Sequence, residues 1–222
     1  MFLTDYLLSK ATLRGKKILV SAGPTYEFID PVRFIGNHSS GKMGFAIAEE
    51  AASRGASVTL ITGPVHLSTP KQVYRKDVVS AEEMKNAILH YFDDSDVLIM
   101  AAAVADYKPK VVSDEKIKKK NAKLSLELVK TDDILKEIVK NKKQQFVVGF
   151  ALETNNEQEN AKQKLVHKNL DAIVLNSLND TGAGFGHDTN KVTIITANEE
   201  TTYALKSKKE VAVDILNFIE GC

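Results

Sequence analysis

The chain has 222 residues, a net charge of +1 and ordinary apolar and charged fractions, which suits a globular protein with a sizeable core. The near-zero net charge argues against binding to nucleic acid or acidic membranes, and no apolar run is long enough to span a bilayer. Cys222 is the single cysteine, which excludes an intramolecular disulfide. We expect a cytoplasmic protein with one domain, residues 1–222, in which residues 1–15 form an N-terminal extension.

Short apolar runs alternate with amphipathic stretches, a pattern typical of βα units around a parallel sheet. The predicted strands are residues 17–22, 57–62, 97–102, 146–150 and 172–176. Residues 191–196 and 201–205 flank a polar turn and predict a hairpin. The pattern therefore predicts an α/β fold, a Rossmann-like doubly wound and mostly parallel sheet with an added antiparallel hairpin.

Helix starts are indicated by capping residues in front of amphipathic stretches. Ser80 with Glu83, and Ser207 with Glu210, each have the spacing of a capping box. Thr131 is predicted to cap a helix that follows it, and residues 41–54 predict another helix.

Two segments directly follow predicted strands, where doubly wound sheets bind their ligands. Gly23, Pro24 and Thr25 predict a tight turn whose N–H groups could face an anion, although a plain βα turn explains them equally well. Residues 101–105 are small and allow a ligand to approach the backbone, with Asp106 placing a carboxylate at the rim. The alternative for this second segment is an alanine-rich packed strand that ends in a turn aspartate.

Residues 36–44 nearly match the phosphate-binding P-loop pattern, but Met43 replaces its hydroxyl residue and residues 26–33 separate the segment from the first strand. Small polar residues before a helix start still form an anion site, because N–H groups and the helix dipole point there together. Asn37 adds a donor and an acceptor, and Ser39 adds a hydroxyl unless it only caps the helix. Arg33 is a second anion contact or an ordinary surface arginine.

Residues 107–123 interrupt the strand and helix rhythm, and we call them the lid segment because long polar connections in compact domains often cover a site. The lid segment contains Lys116 and residues 118–120, a lysine cluster that is either a phosphate contact or a solvated surface. Lys164 and Lys168 share a helix face and could likewise clamp a polyphosphate.

Several function classes have no support in the sequence. None of the five histidines belongs to a metal or triad pattern, and we predict no protein metal site. A nicotinamide oxidoreductase would usually show the G-x-G-x-x-G pattern and an acidic residue after the second strand, where this chain has Thr62 and Gly63. A nucleotide sensor without catalysis would keep the pocket but would not need both Asn37 and a lysine-bearing lid segment.

Taken together and in this order, seven stretches of the chain resemble the phosphopantothenoylcysteine synthetase family, the synthetase domain of the bacterial bifunctional coenzyme A enzyme. The stretches are residues 21–25, 30–33, 37–44, 102–107, 115–118, 148–150 with 153–156, and 168–171. The run Asn-His-Ser-Ser-Gly-Lys-Met-Gly at residues 37–44 is the most specific of them.

The resemblance implies a ligase with two steps. The carboxylate of 4′-phosphopantothenate attacks the α-phosphate of CTP, giving an acyl-cytidylate and pyrophosphate. The amino group of L-cysteine then attacks the acyl carbon and releases CMP. Magnesium accompanies CTP, and charge neutralisation favours the first step.

The resemblance also implies roles for individual residues. Asn37 would hold the acyl group, Lys116 would pair with phosphate, and Arg33, Asn37 and Ser39 would bind phosphopantothenate. The implied nucleotide site consists of Met100, Ala101, Ala102, Asp106, Lys116, Asp132, Asp133, Ile134, Leu135, Phe150, Lys164 and Lys168.

Finally, the resemblance implies a homodimer in which the neighbouring subunit builds part of the site. The flavin-dependent decarboxylase domain that often precedes such a synthetase is not in this sequence, so we expect no flavin here and allow for a decarboxylase domain or partner. The form of residues 37–44 favours CTP over the ATP used by the eukaryotic branch.

Overall fold

The computed structural model describes residues 11–119, 123–177, 184 and 186–222. Residues 1–10 of the predicted extension and residues 120–122 of the lid segment lie outside the described residues. The helices are α1 (Lys42–Ser53), α2 (Ala81–Phe92), α3 (Ile134–Asn141), α4 (Glu157–His167) and α5 (Lys208–Glu220). The strands are β1 (Lys17–Ala22), β2 (Tyr26–Phe28), β3 (Phe34–Gly36), β4 (Ser57–Thr62), β5 (Val73–Asp77), β6 (Val97–Met100), β7 (Tyr107–Pro109), β8 (Leu128–Lys130), β9 (Phe146–Glu153), β10 (Ala172–Ser177), β11 (Thr189–Asn190), β12 (Val192–Ile195), β13 (Glu200–Thr202) and β14 (Lys206–Ser207).

Eight strands form one sheet in the order β13-β12-β10-β9-β6-β1-β4-β5. The six from β10 to β5 pair in parallel, and by chain position they follow the 3-2-1-4-5-6 order of doubly wound nucleotide-binding folds. The β12–β13 hairpin extends the sheet with antiparallel pairs. The predicted fold class is therefore confirmed, including the added hairpin.

Helices cover both faces of the sheet because the strand residues are apolar on both sides. Ile18 of β1 packs with Ile47 of α1 in a core beneath α1 and α5. The adjacent Leu19 points the other way and packs with Ile88 in a core beneath α2, α3 and α4. Each such fully buried aliphatic side chain contributes about 1.5–3 kcal/mol relative to an exposed one.

The predicted helix starts have mixed outcomes. Ser207 and Glu210 form the predicted capping box. Ser80 accepts a bond from the N–H of Glu83, but the Glu83 carboxylate turns to the N–H of Val79, so the predicted reciprocal box is only half formed.

Thr131 was the wrong cap for α3. The helix begins two residues later, where the Asp133 carboxylate accepts the N–H of Lys136 at 3.0 Å. The Thr131 hydroxyl instead donates to the carbonyl of Ala105 at 2.6 Å. A long-range partner has thus replaced the local capping role, which residue spacing alone does not reveal.

Candidate functional site

The site lies where the strand order reverses, at the carboxyl ends of the neighbouring strands β1 and β6. Beyond the strands the two segments continue side by side, since the N–H of Ala103 donates to the carbonyl of Gly23 at 2.9 Å. The N–H of Thr25 returns a bond to the Ala103 carbonyl at 3.3 Å. The predicted turn after β1 and the predicted small-residue segment after β6 therefore form one structure.

Hydroxyl groups hold the backbone of residues 101–105 in place. The N–H of Ala102 donates to the Ser21 hydroxyl at 3.2 Å, so β6 ends at Met100 rather than at residue 102 as predicted. The buried Thr25 hydroxyl accepts the N–H of Ala105 at 2.9 Å. Ala101 and Ala102 remain partly exposed, which leaves this backbone open to a ligand on one side.

Residues 36–44 lead into α1 without a side-chain cap. Gly41 precedes the helix with φ of 75°, a left-handed conformation that favours glycine. The Ser39 hydroxyl only accepts a long bond of 3.4 Å from the N–H of Gly41, so Ser39 does not cap the helix. The positive end of the α1 dipole faces this loop, as the anion-site prediction requires.

Glycine also allows α1 to approach β1 closely. A Cβ atom on Gly44 would lie 2.6 Å from the Cβ of Ala22, which is far inside van der Waals contact. The helix start is thereby held directly against the end of β1, so the two predicted anion-binding segments adjoin each other.

Asn37 connects this loop to the segment after β6. Its side-chain N–H donates to the carbonyl of Val104 at 2.9 Å, and more weakly to the Ala103 carbonyl at 3.5 Å. Asn37 remains exposed, and it is not a helix cap. The predicted acyl-holding amide thus lies against the segment after β6, beside the loop that leads into α1.

Arg33 is engaged by other residues of the protein. Its guanidinium binds the carboxylate of Asp30, with Nε at 3.0 Å, and donates to the carbonyl of Ile117 at 2.8 Å. Asp30 is buried, and the Arg33 guanidinium holds the pKa of that carboxyl well below its usual range. Phosphopantothenate binding by Arg33 stays a prediction, and the contact that the structure provides is to the lid segment.

The lid segment is anchored on the loop after β2. The N–H of Ser113 donates to the carbonyl of Ile29 at 3.0 Å, and the N–H of Ile117 donates to Asp30 at 3.1 Å. The lid segment begins with β7, and β7 pairs with the antiparallel strand β8 that follows the segment. Lys116, next to this anchor, is exposed and makes no hydrogen bond or ion pair with the described residues.

A second group of predicted residues meets around the start of α3 and the end of β9. Lys164 donates to the carbonyl of Phe150 at 2.8 Å, and Lys168 forms an ion pair with Asp133. Burial lowers the pKa of Lys164, while the Glu153 and Asp106 carboxylates oppose that shift. Burial alone would raise the pKa of Asp133, but its bonds from Lys168 and from the N–H of Lys136 leave it lowered.

Four predicted nucleotide residues have side chains that pack or pair elsewhere. Met100 and Ile134 are only 7% and 4% exposed and belong to the core, so only their backbones can meet a ligand. Asp132 pairs with Lys85 of α2 at 2.5 Å. Leu135 is partly buried against that same core.

Sequence reasoning did not select Asn176, near the end of β10. Its side-chain oxygen is buried and has no hydrogen-bond partner within the described residues. Asn176 is in register with Leu152 of β9, two residues beyond the level of Phe150. An amide directly after the apolar run 172–175 was the available signal, since buried acceptors normally have a donor.

Among the residues that the structure describes, no three His, Cys, Asp or Glu side chains converge as a metal-binding group. None of the helices in this part of the chain combines the length and apolar character that crossing a bilayer requires.

Comparisons with known proteins agree with the geometry. Residues 13–222 match the family model described as "DNA/pantothenate metabolism flavoprotein C-terminal domain". A crystal structure of the C-terminal domain of coenzyme A biosynthesis bifunctional protein CoaBC has a TM-score of 0.81 and 44% sequence identity. That match covers 95% of this chain and 96% of the other.

Two curated relatives are longer than this chain. The Bacillus subtilis (strain 168) coenzyme A biosynthesis bifunctional protein CoaBC is 48% identical over 95% of this chain, which spans 52% of that protein. A protein from an unknown prokaryotic organism, named cysteine/cysteine sulfinic acid decarboxylase, is 50% identical over 98% of this chain, which spans 62% of it.

Proposed function

The chain belongs to the DNA/pantothenate metabolism flavoprotein C-terminal domain family, and from that premise we propose that it is a CTP-dependent phosphopantothenate–cysteine ligase of coenzyme A biosynthesis. The observation that carries the proposal is the position of Asn37, which ties the loop before α1 to the segment after β6, next to an uncapped helix start. This arrangement provides an amide for an acyl group beside a site for phosphate.

In the first step, the carboxylate of 4′-phosphopantothenate attacks the α-phosphate of Mg–CTP, and the bond from that phosphorus to the bridging oxygen breaks to release pyrophosphate. Lys116 would neutralise phosphate charge from the lid segment. The group formed by Asp106, Asp133, Lys164 and Lys168 would hold the nucleotide, with the backbone of residues 100–102 beside it. Magnesium enters as part of the Mg–CTP substrate.

In the second step, the cysteine amine attacks the acyl carbon, loses a proton and displaces CMP. The attack places negative charge on the acyl oxygen, which an amide N–H stabilises if it is already oriented. The bond from Asn37 to Val104 supports this role, because it fixes the orientation of the side chain before any substrate arrives. A side chain held in one rotamer also loses less entropy when it binds.

We further propose that the chain acts as a cytoplasmic homodimer of one domain per subunit. The two ribbons β2–β3 and β7–β8 lie side by side and expose large apolar side chains, which a second copy could cover. These exposed residues are Phe28, Phe34, Tyr107 and Leu128 in the ribbons, and Val111 and Val112 in the lid segment just after β7. Light scattering of an active sample at micromolar concentration tests this, and a monomer would contradict it.

The deciding experiment measures pyrophosphate release with CTP or ATP, with and without phosphopantothenate, in the presence of magnesium. We expect release that depends on phosphopantothenate and is faster with CTP at equal concentration. A preference for ATP would contradict the choice of base. Release of carbon dioxide from cysteine or cysteine sulfinate, without pyrophosphate, would instead indicate the activity for which one relative is named.

The same experiment addresses partners. If such a domain or partner acts next, an added phosphopantothenoylcysteine decarboxylase should consume the product of the ligase reaction. The synthetase reaction itself is expected to run without added flavin.

A further inference from the structure

Lys42, the first residue of α1, has a charged partner that the proposed mechanism does not use. Its ammonium lies 2.6 Å from a carboxylate oxygen of Asp188, which is 146 residues away in sequence. The two side chains are 36% and 85% exposed. Lys42 directly follows Gly41, so this exposed ion pair lies at the loop where we place phosphate binding.

The backbone around Asp188 is held firmly, although its carboxylate is exposed. The N–H of Lys208 donates to the Asp188 carbonyl at 2.9 Å, and the next residues pair as β11 with β14. The buried ammonium of Lys208 donates to the carbonyls of Gly184 and His187. The segment therefore presents one carboxylate to Lys42 from a fixed position.

Positive charge predominates around the start of α1, which favours the binding of an anion there. Lys208 is less than one-tenth exposed, and burial and then the nearby Lys42 charge lower its pKa. Lys42 in turn lowers the pKa of Asp188. Lys42 is paired with Asp188, whereas the Lys208 ammonium bonds only to backbone carbonyls, and the positive end of the α1 dipole adds to the field of these two cations.

An exposed ion pair of this kind contributes little to stability, because water screens it and its side chains lose entropy. A phosphate group carries more charge than a carboxylate and accepts more hydrogen bonds, so it can replace the carboxylate as the partner of a lysine. Asp188 can then turn to solvent at little cost.

We propose that Lys42 is a phosphate-binding residue and that Asp188 is its resident counter-ion, which a phosphate-bearing substrate displaces. This inference rests on the proposed function for the identity of the substrate. The phosphate could belong to the triphosphate of CTP or to 4′-phosphopantothenate, and the binding of each is measured separately.

The alternative is that the pair only ties residues 186–190 to α1. Only displacement predicts that the two variants Lys42→Gln and Asp188→Asn change ligand affinity in opposite directions. Calorimetric titration of both variants can test this. Displacement predicts that Lys42→Gln weakens binding of CTP or of phosphopantothenate by about tenfold, since a charge-assisted bond is lost. Asp188→Asn, which removes the competitor, should tighten binding of the same ligand severalfold.

Lys209→Gln is the matched control, because Lys209 of α5 pairs with Glu49 of α1 at 2.9 Å on the same two helices. Its affinities should equal those of the wild type, and thermal melting should show all three variants folded. The effect on CTP or on phosphopantothenate identifies which phosphate Lys42 meets.

If Lys42→Gln and Asp188→Asn both weaken ligand binding, displacement is wrong and the ion pair has only a structural role. Unchanged affinity in Lys42→Gln for both ligands would overturn it as well. If the wild type releases no pyrophosphate from CTP, the proposed function fails separately. Titration of inorganic pyrophosphate into the same variants then still tests whether Lys42 and Asp188 have opposite effects on phosphate binding.

Discussion

Lys116 on the lid segment and Lys164 beside β9 are both predicted to meet phosphate, yet the protein holds them in opposite ways. Lys164 is partly buried and donates to the Phe150 carbonyl, so its position is set before a ligand binds. Lys116 is exposed, and only its neighbour Ile117 is anchored, through Asp30 and Arg33.

The difference suggests that the two lysines contribute at different stages, Lys164 in substrate binding and Lys116 in the transition state. An ordered cation such as Lys164 has already lost its side-chain entropy during folding and can contribute to ground-state binding. An exposed cation such as Lys116 becomes ordered only when it meets charge, so its contribution should concentrate in the transition state. The predictions below test this contrast, together with the role of Asn37 between the two regions.

The largest effect is expected for Asn37→Asp. The variant loses the amide donor and places a carboxylate 2.9 Å from the Val104 carbonyl, where both oxygens repel. Loss of one oxyanion donor costs on the order of 100-fold to 1,000-fold in rate, so the second step should fall by that much and the first step by less. Acyl-cytidylate should accumulate in a single-turnover experiment with cysteine present.

Asn37→Ala is the companion variant, because it removes the donor without adding charge and should lose less. Normal turnover in Asn37→Asp would make the residue merely structural. Loss of all pyrophosphate release with CTP still bound would move the role of Asn37 to the first step.

Lys116→Gln should slow pyrophosphate release about 100-fold, the typical effect of removing one charge from a phosphate clamp. Its CTP affinity and melting temperature should stay near those of the wild type, because the side chain is exposed. Lys110→Gln, which breaks only the lid-segment pair with Glu127, is the control. Wild-type release by Lys116→Gln would transfer the role to Lys118 or Lys119.

Lys164→Met should weaken CTP binding about tenfold while changing the maximal rate less, since the methionine keeps the packing of the apolar stem but loses a charge-assisted bond. Because burial lowers the pKa of Lys164, the wild-type affinity should fall with rising pH before an ordinary lysine would lose its proton. Lys162→Met, on the same helix but paired with Glu200, is the control. Equal CTP affinity for both variants and the wild type would refute a binding role for Lys164.

The smallest effect is expected for Asp30→Asn, measured as melting temperature against pH. The pKa of Asp30 is lowered in the folded protein, so its stabilisation is fully present above the ordinary aspartate pKa and is lost as the pH falls below that range. The variant should therefore melt below the wild type at pH 7, and the difference should shrink towards pH 3. A difference between Asp30→Asn and the wild type that stays constant across this pH range would contradict the linkage.

Much of the fold could be predicted because its signals are local. The apolar runs of β1 and β10, the hairpin of β12 and β13, and the capping box at Ser207 each depend on residues close in sequence. The proximity of residues 23–25 and 101–105 also followed from the sequence, because parallel strands bring their carboxyl ends to one edge.

The partners of individual polar side chains could not be predicted in the same way. Thr131 has the composition of a cap but bonds to Ala105, and Asp132 lies in a predicted nucleotide turn but pairs with Lys85. The partner of each side chain depends on which groups the folded chain brings within hydrogen-bond distance.

The alternation of strands and helices and the polar segments at the strand ends are encoded locally, because hydrophobic periodicity and glycine placement act over a few residues. The bond from Asn37 to Val104, the contact of Arg33 with the lid segment and the Lys42–Asp188 ion pair depend instead on how the chain folds in three dimensions. These contacts join residues 67 to 146 positions apart, and no local preference encodes them. They form because the sheet order places β1, β6 and the segment before α5 around one edge.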